Sequence, residues 1–337
     1  VDDSLYGSRD RRGQWTPSKR PSREPLFVWP AQPKKFLIWV FGFPGYLWPW
    51  NSLLIAMSLG AWLYLTPSIG SMREFHIEWI AAILLRNSGL ALLIYGGLHA
   101  LLYIQRRQDT NFKYNAKWPD KENPVFLFGS QTAENVFWTM CSGVPVWTAF
   151  EVVAWWMHSN GYIAQLDVKQ HPLYFVALLL ITPAWLKLQF FVVHRLIHMG
   201  PLYHIIHKVH HNNVNPGPWS GLSMHTFEHI LYFSGVLFYF VVPSHPMNVM
   251  FCLMIQALIP ALGHLGFDKV VTEGGKHLDA DGYYHYLHHR YFEVNYGDTL
   301  IPFDEWFGTF HDGSPEADEA MYRRMKAKKY KRGGSTA

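Results

Sequence analysis

Residues 173–198 read LYFVALLLITPAWLKLQFFVVHRLIH. The apolar part of this run, 173–193, carries one charge, Lys187, and reaches the roughly 20 residues that a helix needs to cross a bilayer. It ends in two histidines four residues apart. A helix places such residues on one face, about 5–6 Å apart at Cβ. A membrane helix whose end presents paired imidazoles is therefore the unit from which both fold and function are read.

Three similar runs precede it, at 48–65, 77–104 and 136–157. A further apolar stretch at 230–262 is interrupted by Pro243, Ser244, His245, Pro246 and Pro260, as expected of a hairpin that enters the membrane and returns. Charged residues make up 16% of the 337 and hydrophobic residues 49%, against roughly 25% charged in soluble domains. The expected fold is an all-α integral membrane protein. It has about four transmembrane helices plus a re-entrant apolar hairpin, capped by a cytosolic-side histidine-rich helical region. The expected segments are a polar basic arm (1–35), transmembrane helices (36–193), a histidine-rich region (194–312) and a basic tail (313–337).

The loop at 105–121 holds Arg106, Arg107, Lys113, Lys117 and Lys121. Loops 66–76 and 158–172 hold Arg73 and Lys169 respectively. By the positive-inside rule the N-terminus, the 105–135 loop and everything after 193 lie on the cytoplasmic, or equivalent inner, side. The net charge of +4 is too small to point to nucleic acid. Cys141 and Cys252 sit far apart in apolar stretches and read as buried thiols. Residues 1–35 hold no apolar core of a signal peptide. Arg86 and His99 fall inside the second span, where ionisable groups are costly.

Eight histidines form three boxes: His194 and His198; His207, His210 and His211, after the helix-breaking pair Gly200-Pro201; and His285, His288 and His289. Imidazole suits borderline first-row metals. Histidines that merely solvate a helix end explain any one box but not three. A single zinc is satisfied by four ligands, so eight exceed one zinc site, while two zincs remain open on coordination alone.

In this order HRLIH, LYHIIHKVHH, HLGFD, YHYLHH, NYGD and FDEWFGT resemble the sterol desaturase / fatty acid hydroxylase superfamily, with a pattern close to its C4-methyl sterol oxidase branch. The resemblance covers roughly 189–311. It implies a non-haem di-iron centre with ten histidine ligands: the eight box residues, His225 and His264. His225 lies in SMHTFEH, where Thr226 stands in place of the usual proline, and His229 competes with it one helical turn on. Glu228, Asp268, Asp281 and Asp298 are candidates to orient ligand imidazoles. Asn295 is expected to shape the turn after the last box, and Trp306 and Phe307 to pack beneath the site.

The chemistry implied is activation of O2 and attack on a C–H bond of a lipid or sterol drawn from the bilayer, giving hydroxylation or desaturation. No flavin or haem motif is present, so the resemblance implies two electrons from an external donor, a cytochrome b5 or a ferredoxin with its reductase. The basic loop 105–121 and the tail are surfaces for such a donor or for anionic headgroups. The competing reading is a non-catalytic relative that binds lipid or serves as a structural subunit of a larger membrane complex. The substrate, and the choice among endoplasmic reticulum, organelle and bacterial membrane, stay open.

Overall fold

The computed structural model describes residues 2–333. An N-terminal hairpin, β1 (Gly7–Arg9) and β2 (Trp15–Pro17), leads through α1 (Pro33–Phe41) into α2 (Trp50–Tyr64). The long helical segments are α3 (Ile77–Ile104), α4 (Gln131–Ser159) and α5 (Pro172–Ile197), followed by a short broken helix α6 over 200–211. Then come α7 (Thr226–Val241), α8 (Pro246–Gly263) and a second hairpin, β3 (Lys269–Val271) with β4 (His277–Asp279). Three helices close the described chain: α9 (Tyr283–Tyr291), α10 (Phe303–Trp306) and α11 (Pro315–Gly333). Residues 334–337 of the expected basic tail lie outside the described residues.

The architecture is all-α, with four helices long and apolar enough to cross a membrane: α3, α4, α5 and α8. Three match expected spans. The run at 48–65 instead forms the 15-residue α2, about 22 Å at 1.5 Å per residue and short of a ~30 Å hydrocarbon core. Pro49 caps its start, and Pro67 disfavours helix at Thr66.

The apolar hairpin expected at 230–262 is present as α7 and α8. Its tip crosses to the end of the bundle away from His194: Ser244 N–H donates to Ala164 O at 3.0 Å, and Leu166 N–H donates to Ser244 O at 3.2 Å. The hairpin thus traverses the bundle and returns, leaving His264 at the histidine end. At its turn His245 and Asn248 cap α8 reciprocally, which satisfies donors at the start of the helix. Every residue from Pro246 to Leu258 is buried, as a helix apolar all round must be. α8 is the central post, packed against α2, α4 and α5.

Arg86 in α3 pairs with Glu151 of α4, and Asn87, Thr66 and Trp155 complete the network. The charge expected at depth is therefore partnered. Cys252 is buried, but Cys141 is exposed, contrary to expectation. It occupies a π-helical turn, Thr139–Gly143, on the outer surface of α4, where an apolar sequence faces lipid rather than core.

The N-terminal arm is held at the histidine end. Trp15, Phe112, Tyr114, Tyr283, Tyr286 and Leu287 form a separate small core. Trp15 N–H donates to Tyr114 O at 2.8 Å, and the Arg9 guanidinium donates to the carbonyls of Thr110 and Lys113. This arm packs the outer face of α9, whose inner face carries the third box.

Candidate metal centre

Nine of the ten expected ligands converge in two adjoining groups. His194, His198, His207, His211 and His288 form one; His210, His264, His285 and His289 form the other. Helix geometry explains the sorting. At 100° per residue, positions i and i+4 share a face, so the pairs 194/198, 207/211 and 285/289 each stay within one group. The adjacent pairs 210/211 and 288/289 are split, one member to each group. α6 and α9 therefore each serve both groups.

α6 reaches this arrangement through a π-helical turn, Tyr203–His207. The wider turn leaves His204 exposed and His207 buried; such turns recur at functional sites. His264 follows directly on α8. Its Nδ1 donates to Pro260 O at 3.0 Å, so the preceding helical turn aims the ring.

The inward atoms are the Nε2 nitrogens. His198 Nε2 lies 3.0–3.1 Å from those of His207, His211 and His288. His264 Nε2 lies 3.0–3.2 Å from those of His210, His285 and His289. Around an ion at ~2.1 Å, ligand nitrogens about 3.0 Å apart subtend about 90°, whereas a tetrahedron spaces them about 3.4 Å. The donor set therefore fits ions with more than four coordination positions. One group offers five nitrogens and the other four, so the second leaves more room for other ligands.

The outward Nδ1 atoms of five rings are held by the surrounding protein, whereas those of His211 and His289 are buried without a hydrogen-bond partner. His207 donates to Glu228 Oε1 at 2.7 Å, His194 to Tyr296 O at 2.6 Å and His288 to Val294 O at 2.6 Å. His210 reaches Ser223 O at 3.3 Å. Each bond selects the tautomer that leaves Nε2 free to ligate. Burial first, then mutual repulsion, lowers the pKa of His207, His210, His211, His285, His288 and His289 well below the ordinary imidazole range. These rings are neutral at physiological pH, the form that binds metal.

His225 does not join either group. It caps α7, its Nδ1 accepting from Phe227 N–H at 3.3 Å, and its ring lies against Trp138. A side chain turned back onto its own helix start cannot reach across to α9. His229 is also apart: Ser142 Oγ at 3.0 Å and Leu222 O at 3.1 Å occupy its two nitrogens. Of the four carboxylates expected near the site, Glu228 bonds a clustered ring, that of His207. Asp268 instead accepts from Tyr114 O–H at 3.1 Å, beside Lys269, and Asp298 pairs with Lys187 at 2.7 Å. Asn295 braces the turn after the third box, bonding Tyr284 O and His311 O. Its φ of +51° is one that Asn tolerates. Trp306 and Phe307 are 56% and 62% exposed, so they lie on the surface and not beneath the site.

The residue that sequence reasoning missed is Asp304, 1% exposed. It accepts from Tyr296 N–H (2.9 Å), Gly297 N–H (2.7 Å), Tyr284 O–H (2.9 Å) and Thr309 O–H (2.5 Å). It thereby holds the turn whose carbonyls orient His194 and His288. The available signal was a carboxylate inside the aromatic run FDEWF. Tyr203, Phe292 and Tyr296 close the five-histidine group from outside, with rings 4.9–5.7 Å from those of His198 or His211.

Comparison with known proteins covers the same stretch. The family model for fatty acid hydroxylase matches residues 175–309. A Delta(7)-sterol 5(6)-desaturase of Gibberella zeae is 29% identical over 129 residues, 37% of this chain and 39% of the relative. A Delta(7)-sterol-C5(6)-desaturase of Nicotiana tabacum is 33% identical over 126 residues, 36% and 44% of the two chains. Methylsterol monooxygenase 1 of Gallus gallus is 27% identical over 143 residues, 41% and 48%. The chain spans less than half the length of each of these relatives. No solved structure gives a significant match.

Proposed function

We propose that this chain, whose residues 175–309 match the family model for fatty acid hydroxylase and which is similar to sterol desaturases and a methylsterol monooxygenase, is a membrane-bound non-haem di-iron oxygenase of the sterol desaturase / fatty acid hydroxylase superfamily. It would use O2 and two external electrons to hydroxylate, or desaturate, a C–H bond of a lipid or sterol. The observation that carries this reading is the pair of histidine groups with inward Nε2 and outward Nδ1 atoms. Two bound irons would supply O2 activation and attack on an unreactive C–H bond. The chain's own residues do the rest. His194, His198, His207, His211 and His288 would hold one ion, and His210, His264, His285 and His289 the other. Glu228 and the turn carbonyls orient the rings, and burial of seven of the nine excludes bulk water.

Residues 194–312 form the catalytic region; its clustered histidines lie at one end of the bundle, on the cytoplasmic side, while the α7–α8 hairpin within it crosses the bundle and returns. Substrate enters from the bilayer, and electrons come from a cytochrome b5 or a ferredoxin with its reductase. The test is metal content of the gently purified chain, by mass spectrometry and iron spectroscopy. Two irons are expected per chain, lost on replacing His207, His210 and His211 by Ala, and kept in His225→Ala. Absence of metal from every preparation of folded protein, including iron-reconstituted samples, would refute the proposal and favour a non-catalytic lipid-binding or structural subunit.

A further inference from the structure

In the four-histidine group two rings are aimed by carbonyls: His210 Nδ1 donates to Ser223 O at 3.3 Å, and His264 Nδ1 to Pro260 O at 3.0 Å. Both carbonyls meet at one short segment. Ser223 directly follows the 3-10 turn Pro218–Leu222, every residue of which is buried. Gly221 of that turn lies against Pro260. A Cβ there would sit 2.5 Å from Pro260 O, so only glycine allows the approach. Whatever holds residues 218–222 therefore holds both carbonyls.

α4 and α7 hold them together. The π-helical turn Thr139–Gly143 of α4 leaves Cys141 exposed and buries Thr139, Ser142 and Gly143. Thr139 Oγ1 donates to Trp219 O at 3.0 Å. Ser142 acts through His229 of α7. Leu222 O lies 3.1 Å from His229 Nε2; a carbonyl only accepts, so Nε2 carries the proton of the neutral ring. Nδ1 is left to accept from Ser142 O–H at 3.0 Å, and Ser142 Oγ accepts in turn from Thr226 O–H at 2.8 Å. Gly143 completes the contact: a Cβ there would stand 3.1 Å from His229 Nε2 and 3.5 Å from Leu222 Cβ.

The five-histidine group is served by a different segment. The carbonyls that aim His194 and His288 belong to Tyr296 and Val294, on the turn that Asp304 fixes. Buried hydroxyls in an apolar helix are costly unless bonded, and a π turn recurs at functional sites. Here the hydroxyls of the π turn are bonded to the backbone behind one metal group, directly or through one ring.

We propose that Thr139, Ser142 and His229 are positioning residues for the four-histidine group, as Asp304 is for the other. This rests on the reading of both groups as iron sites. The test uses the full chain in nanodiscs and iron per chain after dialysis against graded chelator. Thr139→Val with Ser142→Ala, which leaves His229 and its neighbour Glu228 in place, should fall from two irons to one. The fall is expected at about tenfold less chelator than wild type needs, the lower end of the loss on removing an orienting partner. Thr139→Ser, which keeps the hydroxyl, should hold both irons.

A second background locates the loss. Replacing His198, His211 and His288 by Ala strips the five-histidine group and should leave one iron, which the α4 pair of substitutions should then release. Retention of that iron overturns the assignment. So does release of both irons together by the α4 pair alone, the mark of a general loosening of the helix. Hydrogen exchange in metal-stripped protein needs no iron: the α4 pair should speed exchange at 218–223 and leave 294–297 unchanged. Unchanged exchange at 218–223 refutes the brace by itself, whereas metal-free wild-type protein counts against the oxygenase reading.

Discussion

If the two histidine groups hold iron as proposed, replacing Asp304 by alanine should empty one metal position while leaving the helices folded. The carboxylate accepts from four groups, two of them backbone amides that cannot turn elsewhere, Tyr296 N–H and Gly297 N–H. A hydrogen bond to a charged group is worth about 1.5–3 kcal/mol, so the two amides alone give roughly 3–6 kcal/mol. The hydroxyls of Tyr284 and Thr309 can rotate and add less. The cost falls on one turn. Space there is tight: a Cβ on Gly297 would sit 3.1 Å from Asp304 Oδ2 and 3.2 Å from Phe191.

Once the turn relaxes, the carbonyls of Tyr296 and Val294 no longer aim His194 and His288. Loss of one orienting partner costs about 10–100-fold in metal affinity. Both affected rings belong to the five-histidine group, so that group should empty first. The assay is iron per chain after dialysis against graded chelator, with circular dichroism to monitor helix. Asp304→Ala should fall from two irons to one at chelator concentrations that wild-type protein withstands. Asp304→Asn, which keeps one acceptor oxygen, should fall between them. An alanine variant holding both irons as tightly as wild type would refute the assignment of Asp304 as the organiser of this turn.

Three further outcomes are expected. Glu228→Gln should weaken retention of the same metal by about 10–100-fold without altering helix content; unchanged chelator resistance would count against its orienting role. Arg86→Met should destabilise the bundle by about 3–5 kcal/mol, because it leaves Glu151 charged and buried, whereas Arg86→Met with Glu151→Leu should cost much less; unfolding in lipid measures both, and additive effects would contradict the pairing. For Lys113, burial first and then the Arg9 charge lower the ammonium pKa to about 7. The unfolded chain then binds more protons than the folded one between about pH 7 and 10.5. Wild-type stability relative to Lys113→Met should therefore rise with pH across that window, and a flat difference in melting temperature would contradict the shift.

The parts of this structure legible in the sequence are those set by local periodicity. Apolar runs at 77–104, 136–157 and 173–193 became α3, α4 and α5 because a helix in lipid satisfies its own backbone. The i, i+4 spacing of His194/His198, His207/His211 and His285/His289 put each pair on one face, and each pair stays in one group. The run at 48–65 misled because length was counted without the prolines that clip it at each end. Cys141 misled because apolar surroundings in sequence do not distinguish core from lipid-facing surface.

What stayed hidden depends on tertiary contacts. Nothing local assigns His210 to His264 and His211 to His198; that follows from where α8 and α9 meet α6. Nor does spacing reveal that His225 is spent on capping α7 while His264, lacking any partner at helical spacing, is brought in by a hairpin that crosses the bundle. Most ring-orienting acceptors are backbone carbonyls, those of Tyr296, Val294, Pro260 and Ser223, and a carbonyl has no residue signature. Their placement is nonetheless encoded at one remove. Asp304 is the side chain that fixes two of those carbonyls, and a buried carboxylate with four donors has no comparable use elsewhere in the turn. The aspartate in FDEWF therefore shapes the five-histidine group through the turn that aims His194 and His288, although no hydrogen bond joins it to any of the nine histidines.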